Sequence, residues 1–162
     1  MDEKLKEILD YYGEEAQANQ LVQELAELVV GITKGDLENI KEEIADVEVM
    51  TEQFCLFKAV SSEMVESFRK LSERKIIIDP YISEEKLIST ILKLSLAVVN
   101  QDIESSILLF TEFEIVLKYY KKYKEVNNDE IESIKIKKME RQLKRIESKK
   151  RNEFIANKKV AN

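Results

Sequence analysis

Apolar positions recur along this chain at three- and four-residue intervals with few interruptions, which is the spacing of helices with one buried face. Leu5 to Tyr12 forms a short amphipathic segment that Gly13 ends. Leu21, Leu25, Leu28 and Ile32 then mark the stripe of a helix from about Glu14 to Thr33. Gly35 permits a tight turn, and Asp36 is a good N-cap for a helix from about Leu37 to Lys58. Ser61 or Ser62 caps a fourth helix, through about Arg74. The run Ile76-Ile77-Ile78-Asp79-Pro80 is β-like and carries the single proline, so it reads as a connector. Ser83-Glu84-Glu85 opens a fifth helix to about Val99, and Asp102 a sixth to about Val126. Asn127-Asn128-Asp129 reads as a turn before a seventh helix, from Glu130 towards Lys150. Residues 151–162 lack periodicity and read as a frayed basic tail. The expected fold is therefore an all-α bundle of six to seven helices, one domain over residues 1–150.

The pattern also repeats. Sliding the chain by 66 residues aligns positions 21–68 without a gap and finds identities at Leu21/Leu87, Leu28/Leu94, Asp36/Asp102, Glu38/Glu104, Glu48/Glu114, Lys58/Lys124, Val60/Val126, Glu66/Glu132 and Ser67/Ser133. Turns coincide as well as stripes, so tandem-duplicated helical hairpins are expected, repeat one over about 14–74 and repeat two over about 81–147.

Acids break the equivalence of the two repeats. On a helical wheel with Leu21 at zero, Glu24 falls near 300° and Glu27 near 240°. With Ile40 at zero, Glu43 and Asp46 fall at about the same two angles. Packing the two helices as a hairpin would gather four carboxylates, and a cation would offset their repulsion and desolvation. Repeat two has Thr90, Lys93, Leu109 and Glu112 at these places. The scaffold is kept and the cluster lost, which separates chemistry from packing and predicts one site per chain.

Composition narrows the chemistry. There is no histidine, hence no Ser-His-Asp triad, no Cys-His pair and no histidine-liganded zinc. The single cysteine, Cys55, excludes an intramolecular disulfide framework, reads as core or interface, and suits the cytoplasm. No glycine-rich phosphate loop is present. The remaining donors are oxygens, which favour a hard cation such as Mg²⁺. No apolar run has membrane-spanning length, and the charged N-terminus lacks the apolar core of a signal peptide. Residues 135–162 hold eleven Lys or Arg against three Glu, in a chain of net charge −6. Such a tail can meet a phosphorylated ligand, nucleic acid or the protein's own acidic body. Interleaved Glu140 and Glu147 argue against nucleic acid.

The pair Glu24-x-x-Glu27 and Glu43-x-x-Asp46 resembles the metal-binding signature of the MazG-like, all-α nucleoside triphosphate pyrophosphohydrolases. Flanking residues add to it: Tyr12-Gly13-Glu14-Glu15-Ala16-Gln17 before the first pair, Glu42-Glu43-Ile44-Ala45-Asp46-Val47-Glu48-Val49-Met50 around the second, and Lys137-Lys138-Met139-Glu140-Arg141-Gln142-Leu143 in the tail. The phage and bacterial branch is the nearest in pattern, over about residues 10–54 and 127–147. Gln23 departs from it, standing where that family often has a further Glu. The resemblance implies hydrolysis of a (d)NTP to (d)NMP and pyrophosphate, dependent on Mg²⁺, with Mn²⁺ as the alternative ion. Glu24, Glu27, Glu43 and Asp46 would be the metal ligands and catalytic residues. Lys138 and Arg141 would bind phosphates, with Lys70 and Arg74 as weaker counterparts, and Gln17 would touch ribose or base. A homo-oligomer, in the first place a dimer, is expected. The alternative is a non-catalytic helical protein of that descent that binds a nucleotide or an ion.

Overall fold

The turns close as their residues dictate. Asp36 accepts a hydrogen bond from the Asn39 N–H at 3.2 Å, Ser83 from Lys86 at 3.2 Å and Asp102 from Ser105 at 3.0 Å. Each cap satisfies an amide that a helix start leaves unpaired. The computed structural model describes residues 2–58, 60–78 and 83–160. Seven helices result: α1 (Asp2–Tyr12), α2 (Glu14–Lys34), α3 (Leu37–Phe57), α4 (Ser62–Ile78), α5 (Glu84–Val99), α6 (Ile103–Tyr123) and α7 (Asn128–Val160). Among the described residues there is no strand, and no helix is long and apolar enough to cross a membrane. The protein is all-α.

Several boundaries differ from the sequence reading, and those of α4, α6 and α7 have a physical reason. The α4 helix continues through Ile78 instead of giving way to a connector at Ile76. Proline at 80 disfavours helical backbone only at the residue before it, and β-branched residues lower helix propensity by a fraction of a kcal/mol. Asp79 and Pro80 lie outside the described residues. The α6 helix stops at Tyr123 because Glu125 takes a left-handed φ of 56°, and the Val126 N–H reaches back to the Lys121 carbonyl at 2.8 Å. The α7 helix begins at Asn128 and runs to Val160, ten residues past the expected end, since no Gly or Pro interrupts it. Its 33 residues extend about 50 Å.

The two halves pair about a pseudo-two-fold relation. Hairpin α2/α3 packs on hairpin α5/α6 through α2 and α5. Leu21, Leu25 and Leu28 of one half and Leu87, Ile91 and Leu94 of the other are fully buried in this common core. The 66-residue offset survives in the backbone. Gly35 (φ 69°) and Gln101 (φ 56°) donate to Ile32 and Val98, and Val60 and Val126 to Cys55 and Lys121.

Third helices cross between the halves: α4 packs on α6, and α7 on α3. The crossings match in detail. Arg69 pairs with Glu114 at 2.8 Å, and at the offset positions Lys135 pairs with Glu48 at 3.5 Å. Ser72 donates to the Leu108 carbonyl at 3.4 Å, and Lys138 to that of Glu42 at 3.2 Å. Helix α1 stands outside this scheme. It lies on α7, α3 and α2, where Leu5 and Ile8 join Val49, Met139 and Ile146 in a second small core.

Candidate metal centre

The α2/α3 hairpin is held in register at both ends. Near the turn, a Cβ on Gly31 would come within 3.0 Å of the Asn39 side chain and 3.4 Å of that of Ile40, so only glycine fits there without movement. At the far end, Lys58 pairs with Glu14 at 3.6 Å. An antiparallel hairpin in this register sets Glu27 level with Glu43, and Glu24 level with Asp46, each pair equidistant from the Gly35-Asp36 turn.

Glu24, Glu27 and Glu43 come together, with one carboxylate oxygen of each within 4.8 Å of the others. Glu43 is 8 % exposed, and its Oε2 has no hydrogen-bond partner. Glu24 is half-buried and accepts from Gln20 Nε2 at 2.5 Å, while Glu27 accepts from Gln23 Nε2 at 2.9 Å. Burial, followed by the charges of Glu27, Asp46 and Glu24, pushes the Glu43 carboxyl up to about 7. Burial also raises Glu24, with Asp46 and Glu27 adding to it against the Gln20 hydrogen bond.

The fourth acid is turned to a different partner. Asp46 forms a close ion pair with Lys138, whose ammonium also lies 3.8 Å from the exposed Glu42 carboxylate. Burial still raises the Asp46 carboxyl, against the lowering by Lys138 and Arg141. The structure thus gathers three of the four expected acids and sets Asp46 beside them under a lysine. Crossing of α7 onto α3 is the reason, and only the fold reveals it.

The donor set fits a hard divalent cation. It consists of oxygens alone, and ligand oxygens around Mg²⁺ or Ca²⁺ stand roughly 3–5 Å apart, the scale of this cluster. The unpartnered Glu43 oxygen and the raised carboxyls record repulsion and desolvation that a cation would relieve.

The remaining predicted residues divide. Gln17 is buried, and its Oε1 has no partner. Arg141 is exposed and lines a shallow basic depression of about 530 Å³ with Lys144, Arg145, Ser148 and Lys149. Lys70 pairs with Glu66 on the surface, and Arg74 is exposed. Cys55 is half-buried beside a cavity of about 470 Å³, and burial raises its thiol to about 11. Two residues escaped the sequence reading. Gln20, four before Glu24, carries an i,i+4 signal. Gln53, fully buried with neither amide atom paired, lies seven residues after Asp46 as Gln17 lies seven before Glu24, a symmetry visible in the sequence.

A scan of the chain against protein-family models, a search of the curated proteins and a search of the solved structures find no match.

Proposed function

We propose that the chain is a Mg²⁺-dependent nucleoside triphosphate pyrophosphohydrolase that cleaves a (d)NTP to (d)NMP and pyrophosphate. The observation that supports this best is the convergence of Glu24, Glu27 and Glu43 around one point, with a buried Glu43 oxygen left unpartnered. Glu24, Glu27 and Glu43 would hold the metal, which supplies positive charge against phosphate oxygens and acidifies a water. The chain's own residues do the rest. Gln20 and Gln23 fix the Glu24 and Glu27 carboxylates from one helical turn away. A carboxylate of the cluster left off the metal would take the proton of the attacking water. Lys138 and Arg141 bring positive charge to the same edge of α3, where a triphosphate would lie. Two chains assembling as a dimer belong to the same proposal, and a strict monomer by light scattering would remove that part.

A second reading is a helical protein that binds a nucleotide or an ion without turning it over. The Lys138 ammonium on Asp46 favours it, because one acid is already neutralised. Pyrophosphate release from the common ribo- and deoxyribonucleoside triphosphates, in Mg²⁺ and in Mn²⁺, separates the two. Turnover that Glu43→Gln abolishes is the expected result. Binding without turnover of any nucleotide would leave the second reading.

A further inference from the structure

Each crossing of a third helix onto the opposite hairpin leaves a cavity beside it. One, of about 470 Å³ between α3, α4 and α6, has Cys55, Leu56, Val60 and Val65 in its walls. The other, of about 950 Å³ beside α6, α7 and α3, has Lys121, Lys122, Val126 and Ile131 at the offset positions. Glu114 lines the first where Glu48 lines the second, and the two cavities adjoin at Arg69 and Glu114. Leu5 of α1 adds an apolar wall to the first alone, so the correspondence concerns only the four other helices.

Glu48 carries two cations. Its Oε1 takes the Lys121 ammonium at 2.9 Å, and its Oε2 lies 3.5 Å from that of Lys135. Glu114 carries one. Its Oε2 takes Arg69, at the Lys135 position, at 2.8 Å, and among the described residues no second cation is paired with it. Cys55 stands where Lys121 does. The methylene chain that brings an ammonium to the glutamate of the second cavity is therefore missing from the first. The thiol registers the same imbalance. Burial, then the charges of Glu114 and Glu52, push it up to about 11, and both of those charges are negative. Deeper in the cavity, Ile107 and Phe110 are buried and apolar.

We propose that the cavity between α3, α4 and α6 binds a small primary aliphatic amine, with its ammonium on Glu114 and its chain along Cys55, Ile107 and Phe110. The protein's own Lys121 is the pattern for this ligand, an ammonium on an apolar chain that ends at the equivalent carboxylate. The volume falls within the range of small-molecule pockets, roughly 300–1,000 Å³. A chain of about six carbons would dry its apolar length inside and keep its charge at the half-exposed carboxylate, as long amphipathic side chains do. An anion would have to compete with Glu114 for Arg69, and a neutral alcohol would leave the second place on Glu114 without a charge. None of the lining residues belongs to the acid cluster of α2 and α3, so this site stands or falls separately from the nucleotide reading.

Calorimetric titration of the full chain with n-hexylammonium, n-hexanol and hexanoate tests it. Hexylammonium is expected to bind about tenfold more tightly than hexanol, the gain of a charge-assisted hydrogen bond over a neutral one. Hexanoate should bind least. Cys55→Lys rebuilds the second cavity in the first and should abolish hexylammonium binding. Glu114→Gln should remove the preference for the cation and, by freeing Arg69, raise the affinity for hexanoate. It also covers the case in which Cys55→Lys does not fold. Nα-acetyl-lysinamide carries the same ammonium on a peptide unit and should bind more weakly than hexylammonium, because its amides would be dried against apolar walls. The reverse order would overturn a small-molecule ligand in favour of a partner protein's lysine. Equal affinity for hexylammonium and hexanol would overturn the proposal, as would hexylammonium binding that survives both substitutions or an absence of binding by all three probes.

Discussion

In the first hairpin, Glu24 and Glu27 stand across from Glu43 and Asp46. In the second, with the same turns and the same buried stripe, Thr90 and Lys93 stand across from Leu109 and Glu112. The second hairpin settles its acid within itself: Lys86 lies 3.3 Å from Glu112, and Thr90 donates to the Lys86 carbonyl at 2.9 Å. The first half has Gln20 where the second has Lys86. An amide there supports Glu24 and neutralises nothing, and the lysine at Asp46 arrives from α7. One half has its charge balance built into its own hairpin, and the other is left short of positive charge. That shortfall is the argument for a cation.

The comparison can be broken most sharply at its acids. Glu43→Gln is expected to lower pyrophosphate release by a hundredfold or more, on the order of 3 kcal/mol in the barrier. Glu112→Gln, in the settled half, should stay within about twofold, since no chemistry is assigned there. Equal losses from the two variants would sink the assignment of the site to one half.

Acidity tests the same contrast. Glu43 titrates at about 7 in the folded, metal-free chain, above its ordinary value, so the native state holds a proton that the unfolded chain has released. Its stabilisation is complete below about pH 4.5 and is lost as pH rises through 7. After allowance for solvent screening the loss is about 1–2 kcal/mol. Thermal melts from pH 5 to 8 should show a falling Tm without metal, recovered by Mg²⁺ above pH 7. A profile unaffected by Mg²⁺ would remove the cation.

The crossing helices offer a matched pair of smaller changes. Lys138→Met leaves Asp46 without its ammonium and should destabilise by about 1–3 kcal/mol. Ser72→Ala at the equivalent place removes neutral hydrogen bonds and should lose about 0.5–1.5 kcal/mol. Urea unfolding measures both, and the reverse order would mean that the Lys138–Asp46 pair is solvated. Smallest is the helix end after α5, where Gln101 holds the left-handed φ that Gly35 holds after α2. Gln101→Gly should stabilise by about 0.5–1 kcal/mol, readable as a higher urea midpoint.

Much of this was legible in the order of residues, for a local reason. Caps and stripes act over four residues, so Asp36, Ser83 and Asp102 and the leucines of α2 and α5 announced their helices. The facing of Glu24 and Glu27 towards Glu43 followed from period and turn alone. Asp46 did not, because its partner Lys138 is 92 residues away and reaches it only through the crossing of α7. Burial of Gln53 was likewise hidden, as a glutamine beside an acidic stripe reads as surface.

Exchange of the third helices bears on how the polypeptide could be divided. Each half of the gene would encode a hairpin whose cover is encoded by the other half, so neither product alone would hold a finished core or a complete site. Expressed together as two fragments, they would be expected to find each other and assemble without a covalent link. In a true two-chain counterpart, any substitution would strike both copies at once. Joined in one polypeptide, the copies are released from that bond, and one pocket is free to keep its acids while the other becomes framework.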